Sequence, residues 1–208
     1  MSDAKGQAGA HVRLSHVCKS YGANRVLRDV SLTLDAGSIT CLMAPSGSGK
    51  TTLFRVLLGL EPIDSGSVEG LAAGEVSMMF QEDRLCETLT PVENVALVLP
   101  SSARRYDVQR ELERILPPDC MDRPALQLSG GMRRRVSLAR ALAYPSRAIV
   151  LDEPFTGLDS ATKRAVIDFV LDMREDRTLL VATHNKEDLE LLGARALLLD
   201  EAQDGGAS

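Results

Sequence analysis

The stretch ITCLMAPSGSGKTTL, residues 39–53, decides the fold. Ile39 to Met43 is a short, nearly continuous apolar run, the pattern of a strand buried on both faces. A turn of Gly and Ser follows, and Lys50 opens a helical pattern. Strand, glycine turn, helix is the order in which a chain cradles phosphate. Gly47 and Gly49 allow the backbone to turn its N–H groups inward, and the helix that follows points its positive end at the same spot. Lys50 reaches the β- and γ-phosphates of a nucleotide, and Thr51 offers a hydroxyl to Mg²⁺. Ala44 stands where the pattern G-x-x-x-x-G-K-[ST] has its first glycine, a replacement that is tolerable if its φ stays negative.

Working outward, Val30, Leu32 and Leu34 alternate with polar residues as in a half-buried strand, while Val76–Phe80, 148–151, 178–182 and 196–199 read as short apolar strands. Helical patterns between several of them predict a largely parallel sheet with helices on its faces. Strand signals vanish between Thr88 and Gln127, where Pro91 opens a helix at Val92 and Arg110 to Leu116 has helical spacing before Pro117 and Pro118. A small helical insert is expected there, over about residues 88–144. Residues 11–200 are expected to form one domain, with 1–10 and 201–208 as polar, small-residue tails.

At 208 residues and 44% hydrophobic content the chain can bury a core without disulfides. Its four cysteines, Cys18, Cys41, Cys86 and Cys120, form no C-x-x-C pair, which suits a reducing cytoplasm. No run approaches the ~18 apolar residues of a membrane span. The net charge of −5 argues against coating nucleic acid.

Two acids, Asp152 and Glu153, follow the strand at 148–151, at the carboxyl edge where an open α/β sheet binds ligands. Asp152 is placed to serve the metal, and Glu153 to polarise the water that attacks the γ-phosphate. Taken alone, Asp-Glu-Pro could equally start a helix. His184 ends the strand at 178–182 and is able to bond a γ-phosphate oxygen, although a lone histidine there would also suit the surface of the helix 185–192. Gln81 follows Val76–Phe80 and is placed to touch Mg²⁺ or the lytic water, although an isolated Gln after a strand is usually solvated. Leu128-Ser-Gly-Gly-Met precedes a helix with Met132, Val136, Ala139 and Ala143 on one face, so Ser129 is its N-cap. Arg133 to Arg135 read as a solvated helix face with one or two structural contacts.

In this order, the chain resembles an ATP-binding subunit of the ABC transporters, with LSGGM (128–132) in the place of that family's LSGGQ between the phosphate loop and the acidic strand. The resemblance runs from about Val12 to Asp200 and covers Tyr21, APSGSGKTT (44–52), Gln81, LSGGM, LDEP (151–154), Asp159 and His184. It departs from the family at Ala44, at Met132, at Arg134 where glutamine is common, and at Asn185 where importers often carry Asp. FQEDRL with LSGGM is similar to the branch that imports nitrate, sulfonate or taurine-type solutes.

What the resemblance implies is a phosphate-loop NTPase core with an N-terminal antiparallel β subdomain and a small helical subdomain. The implied cofactors are ATP and Mg²⁺. ATP is cradled by Ala44, Pro45, Ser46, Gly47, Ser48, Gly49, Lys50, Thr51 and Thr52, with Tyr21 stacked on adenine. Thr51, Gln81 and Asp152 serve Mg²⁺, and Lys50, Gln81, Glu153 and His184 serve hydrolysis. A second nucleotide-binding subunit, the same or different, would face this one head to tail. Ser129, Gly130 and Gly131 would then approach ATP in trans, with Asp159 at the seam. The implied partners are transmembrane permease subunits, which meet the helical insert, and an extracytoplasmic solute-binding protein, at the cytoplasmic face of the membrane. Three other readings fit the sequence less well. A soluble relative acting on nucleic acid or ribosomes would carry long coiled coils or two cassettes. A small-molecule kinase would make 128–132 and His184 accidents. A cassette without turnover has only Ala44 in its favour.

Overall fold

The computed structural model describes residues 8–45, 47–100, 105–199 and 202. Strands β1 (Val12–Tyr21), β2 (Asn24–Leu34) and β4 (Ser65–Glu69) form an antiparallel sheet in the order β2-β1-β4. Strands β3 (Ile39–Met43), β5 (Val76–Met79), β6 (Ala148–Asp152), β7 (Thr178–Ala182) and β8 (Arg195–Leu198) form a parallel sheet in the order β5-β6-β7-β3-β8. Helix α1 (Lys50–Leu57) follows β3. Helices α2 (Pro91–Ala96), α3 (Arg105–Leu112) and α4 (Gly130–Ala143), with 3-10 turns at Pro118–Cys120 and Ala125–Gln127, lie between β5 and β6 in sequence. Helices α5 (Ser160–Arg174) and α6 (Lys186–Leu192) complete the crossovers to β7 and β8.

The period of two in a strand sorts the core into two layers. Cys41, Met79, Ile149, Leu151, Leu179 and Val181 face one side of the parallel sheet and pack with Leu138, Leu142, Val166 and Phe169 of α4 and α5. Leu42, Val76, Val150, Leu180 and Ala182 face the other, against α1 and the antiparallel sheet. Leu53 and Phe54 of α1 are fully buried there, each stabilising the layer by roughly 1.5–3 kcal/mol.

The helical segment starts where its chemistry says it should. Thr90 and Glu93 form a reciprocal capping box and Pro91 takes the first helical position of α2. Asn94 has no exposed surface; its Oδ1 accepts from Cys86 N–H at 2.8 Å, and its Nδ2 donates to the carbonyls of Cys86, Leu89 and Thr90, each at 3.1 Å. The helix expected over Arg110 to Leu116 begins earlier, at Arg105, and is regular only to Leu112.

The expected tails need correction where the structure describes them. Ala10 is fully buried, its N–H donates to the Arg147 carbonyl at 3.2 Å, and its carbonyl accepts from Thr178 Oγ1 at 2.7 Å. Ala202 is likewise buried. A small side chain in a polar stretch gives no periodic signal, so its burial is invisible in sequence. The rest of 1–7, 200–201 and 203–208 lies outside the described residues.

Candidate active site

Because β3, β5, β6 and β7 run parallel, their carboxyl ends lie together, and each carries one of the sequence-derived groups. They line an open cavity of about 580 Å³ with Val26, Gly47, Gly49, Lys50, Thr51, Thr52, Gln81, Arg134, Asp152, Glu153, Thr156 and His184 on its walls.

The cradle is built from backbone. Gly47 and Gly49 have φ of 82° and 98°, and Gly49 is the N-cap of α1 with no side-chain cap, so the first N–H groups of that helix remain for an anion. A Cβ at Gly49 would also lie 3.0 Å from the Val26 carbonyl oxygen. Ala44 keeps a negative φ, which removes the steric need for glycine at that position. The Lys50 ammonium donates to the carbonyls of Ala44 at 2.6 Å and Pro45 at 2.9 Å, which holds it at the cavity wall. Ser46 lies outside the described residues.

Asp152 ends β6 and is only 6% exposed. Burial and the adjacent Glu153 charge push its carboxyl above the ordinary range, against the opposing pull of Lys50 and Arg134. A cation beside it would relieve that penalty. Thr51, Gln81 and Asp152 bring a hydroxyl, an amide oxygen and a carboxylate to one cavity, the hard oxygen donors that Mg²⁺ takes. Among the described residues no three His, Cys, Asp or Glu side chains form a metal cluster.

Glu153 is one of five described non-glycine residues with positive φ, at 52°, and its N–H donates to the Ala182 carbonyl at 3.0 Å. That posture turns its carboxylate toward His184 Nδ1, 3.0 Å away, while Thr156 Oγ1 donates to it at 3.0 Å. Backbone in this region is costly for a side chain and collects at functional sites. The acid and the imidazole thus form a pair facing the cradle, which rules out the alternative of a mere helix start at Asp152: the next helix, α5, is capped instead by Asp159.

Several predicted residues lie elsewhere. Tyr21 is the last residue of β1; it is 45% exposed, with Lys19 Nζ 5.3 Å from its ring centre. Ser129 caps α4 by accepting from Met132 N–H at 3.3 Å, and Gly130 and Gly131 are exposed at its tip, away from this cavity. Asp159 accepts from the N–H groups of Ala161 and Thr162 and from Thr162 Oγ1.

Two cavity residues had weak sequence signals. Thr156 follows Glu153 by three residues, a turn's spacing. Arg134 belongs to the cluster expected to be largely solvated, and this is corrected. Arg133 grips the Asp83 carboxylate with two bonds of 2.8 and 3.1 Å; Arg135 donates to the Ile115 carbonyl at 2.8 Å; and Arg134 donates to the carbonyls of Gln81, Asp152 and Glu153. All three are half-buried and committed to their own chain.

A phosphate loop facing a carboxylate–imidazole pair across one cavity defines a nucleotide triphosphatase of the phosphate-loop class. Comparison with known proteins specifies it further. The chain belongs to the ABC transporter family, whose model matches residues 27–156, and is an ATP-binding, ATP-hydrolysing cassette of that family. It is 39% identical to the aliphatic sulfonates import ATP-binding protein of Corynebacterium glutamicum, over 88% of this chain and 77% of that one. It is 36% identical to the sulfate/thiosulfate import ATP-binding protein of Ralstonia nicotianae, over 92% of this chain and 57% of that one. Its fold matches the ATP-binding cassette MJ0796 in a dimeric post-hydrolysis state bound to ADP and Pi, with a TM-score of 0.80 and 28% identity over 93% of this chain and 95% of that chain. Among the described residues no helix is long and apolar enough to cross a membrane.

Proposed function

We propose that this chain is the nucleotide-binding subunit of an importer for a small anion or organosulfonate, peripheral at the cytoplasmic face of the membrane. It would work with permease subunits, a second nucleotide-binding subunit and a solute-binding protein. The observation that carries the reading is the Glu153–His184 pair lining one cavity with Gly47, Gly49, Lys50, Thr51 and Thr52.

Lys50 and the N-terminus of α1 bind the β- and γ-phosphates, and the Tyr21 ring stacks on adenine. Glu153 accepts a hydrogen bond from a water in line with the γ-phosphate, and His184 orients that carboxylate and bonds a phosphate oxygen. Water adds to phosphorus, the bond to the ADP oxygen breaks, and ADP and inorganic phosphate leave. Thr51, Gln81 and Asp152 would hold Mg²⁺, which would supply positive charge to offset the charge of the phosphates.

The dimer reading is supported by Gly130 and Gly131. A Cβ built on either meets nothing within 4 Å, so this chain's own packing does not require their bareness. Close approach by another molecule would. In the head-to-tail pair, Ser129, Gly130 and Gly131 approach the γ-phosphate held by the other subunit, and Asp159 lies at the seam. Leu97 and Leu126, 59% and 63% exposed on the helical segment, suit a permease contact. The commitment of Arg133, Arg134 and Arg135 to their own chain weighs against a nucleic-acid partner.

The test is ATP turnover and size-exclusion chromatography of the wild type and Glu153→Gln with Mg²⁺ and ATP. Turnover per subunit that rises with protein concentration, and a Glu153→Gln variant trapped as an ATP-bound dimer, are expected. A Glu153→Gln variant that turns over like the wild type overturns the assignment.

A further inference from the structure

Arg134 lies in the second turn of α4, yet its guanidinium reaches the cavity floor and donates to carbonyls on two different strand ends. Nη1 bonds the Gln81 carbonyl at 2.9 Å, beyond β5. Nη2 bonds the Asp152 carbonyl at 3.1 Å and the Glu153 carbonyl, at and beyond the end of β6. Only a planar fork with several donors spans such a set. On the same helix, Arg133 holds the Asp83 carboxylate, and Arg140 donates to the carbonyls of Asp83 at 3.2 Å and Arg84 at 3.0 Å. The segment after Gln81 is therefore attached to α4 rather than to the sheet.

Glu153 makes the attachment consequential. Its positive φ must be enforced by its surroundings, and its peptide is held on one side by the bond from its N–H to Ala182 and on the other by Arg134. Arg134 thus ties the Gln81 carbonyl and the Glu153 carbonyl to one helix.

We propose that Arg134 is a positioning residue for hydrolysis: it braces the Gln81 and Glu153 backbones to α4, so that displacement of the Ser129 end of that helix is transmitted to the carboxylate of the same subunit. The inference rests on the reading of Glu153 as the residue that polarises the attacking water.

Arg134→Met keeps the aliphatic length and removes every donor. The expected result is a fall in kcat of at least about tenfold, since small misplacements of a reacting group are costly, with KM and the Kd for a non-hydrolysable ATP analogue within about twofold of the wild type. Amide hydrogen exchange in 81–84 and 153–156 should accelerate while β6 and the body of α4 keep their protection. Arg134→Lys, which keeps the charge without the fork, should recover less than half of the lost rate.

Unchanged exchange in both segments overturns the proposal even if the isolated chain turns over too slowly to assay. A joint loss of Kd, kcat and Tm in Arg134→Met overturns it in favour of a general folding role. Full recovery by Lys overturns it in favour of charge. Glu153→Gln separates the two levels: if it is inactive while Arg134→Met matches the wild type, only the brace fails; if it is fully active, the reading of Glu153 fails and takes the brace with it.

Discussion

Replacing Ala44 with glycine restores the residue that the phosphate-loop pattern has at this position, and the structure says that the restoration is unfavourable. Ala44 has negative φ, so its Cβ imposes no strain, and its methyl packs partly buried against the core layer that contains Leu42 and Leu53. Its contribution to phosphate binding runs through its carbonyl, which accepts from Lys50 Nζ at 2.6 Å, and glycine has the same carbonyl. Ala44→Gly adds freedom to the unfolded chain, worth about 0.4–1 kcal/mol, and gives up part of a buried methyl, worth at most about 0.8 kcal/mol. A loss near 1 kcal/mol lowers the Tm of a chain this size by about 2–4 °C. Differential scanning fluorimetry reads the first quantity, and calorimetric titration of MgATP reads the second, expected within about twofold of the wild type. A variant that binds ATP tenfold more tightly with no loss of Tm would refute the reasoning, because it would mean that Ala44 does strain the cradle.

Asp152→Asn should abolish Mg²⁺-dependent turnover and raise the Tm of the nucleotide-free protein at neutral pH. The Asp152 carboxyl is raised by burial and by Glu153, so above its folded pKa the folded state bears the whole penalty of the buried charge. That penalty fades as pH falls through the folded pKa toward the ordinary value near 3.8, and the Tm advantage of the variant should fade with it; a Tm difference that is flat with pH contradicts this account. Asn94→Ala leaves one half-buried N–H and three carbonyls without their side-chain partner, so a loss of about 3 kcal/mol in urea unfolding is expected, and a loss below about 1 kcal/mol would mean that water or relaxation replaces them.

Much of this site was legible because its groups sit at strand ends. Apolar runs locate β3, β6 and β7, and the polar residues that follow them, Asp152, Glu153 and His184, have to emerge at one edge of a parallel sheet. The Ser129 cap was legible for a local reason, since it needs only its own helix. The antiparallel sheet was harder. The β1 strand is interrupted by register shifts around Val17 and Lys19, and His16 and Asp29 take positive φ, so its alternation breaks and no clean period of two survives. The role of Arg134 was hidden for a different reason: a guanidinium on carbonyls leaves no complementary charge in the sequence. Asp83 does mark Arg133, but nothing marks a backbone oxygen.

The pairing order of the parallel sheet also governs how the protein is made. Strand β3, which leads into the phosphate loop, pairs with β7 and β8. Ile39 cannot meet Leu179 until the ribosome has added everything between them, which at ~5–20 residues per second takes on the order of ten seconds. Throughout that interval Cys41 and Leu42 have no strand to pair with. The nucleotide site is therefore among the last parts of the molecule to be completed.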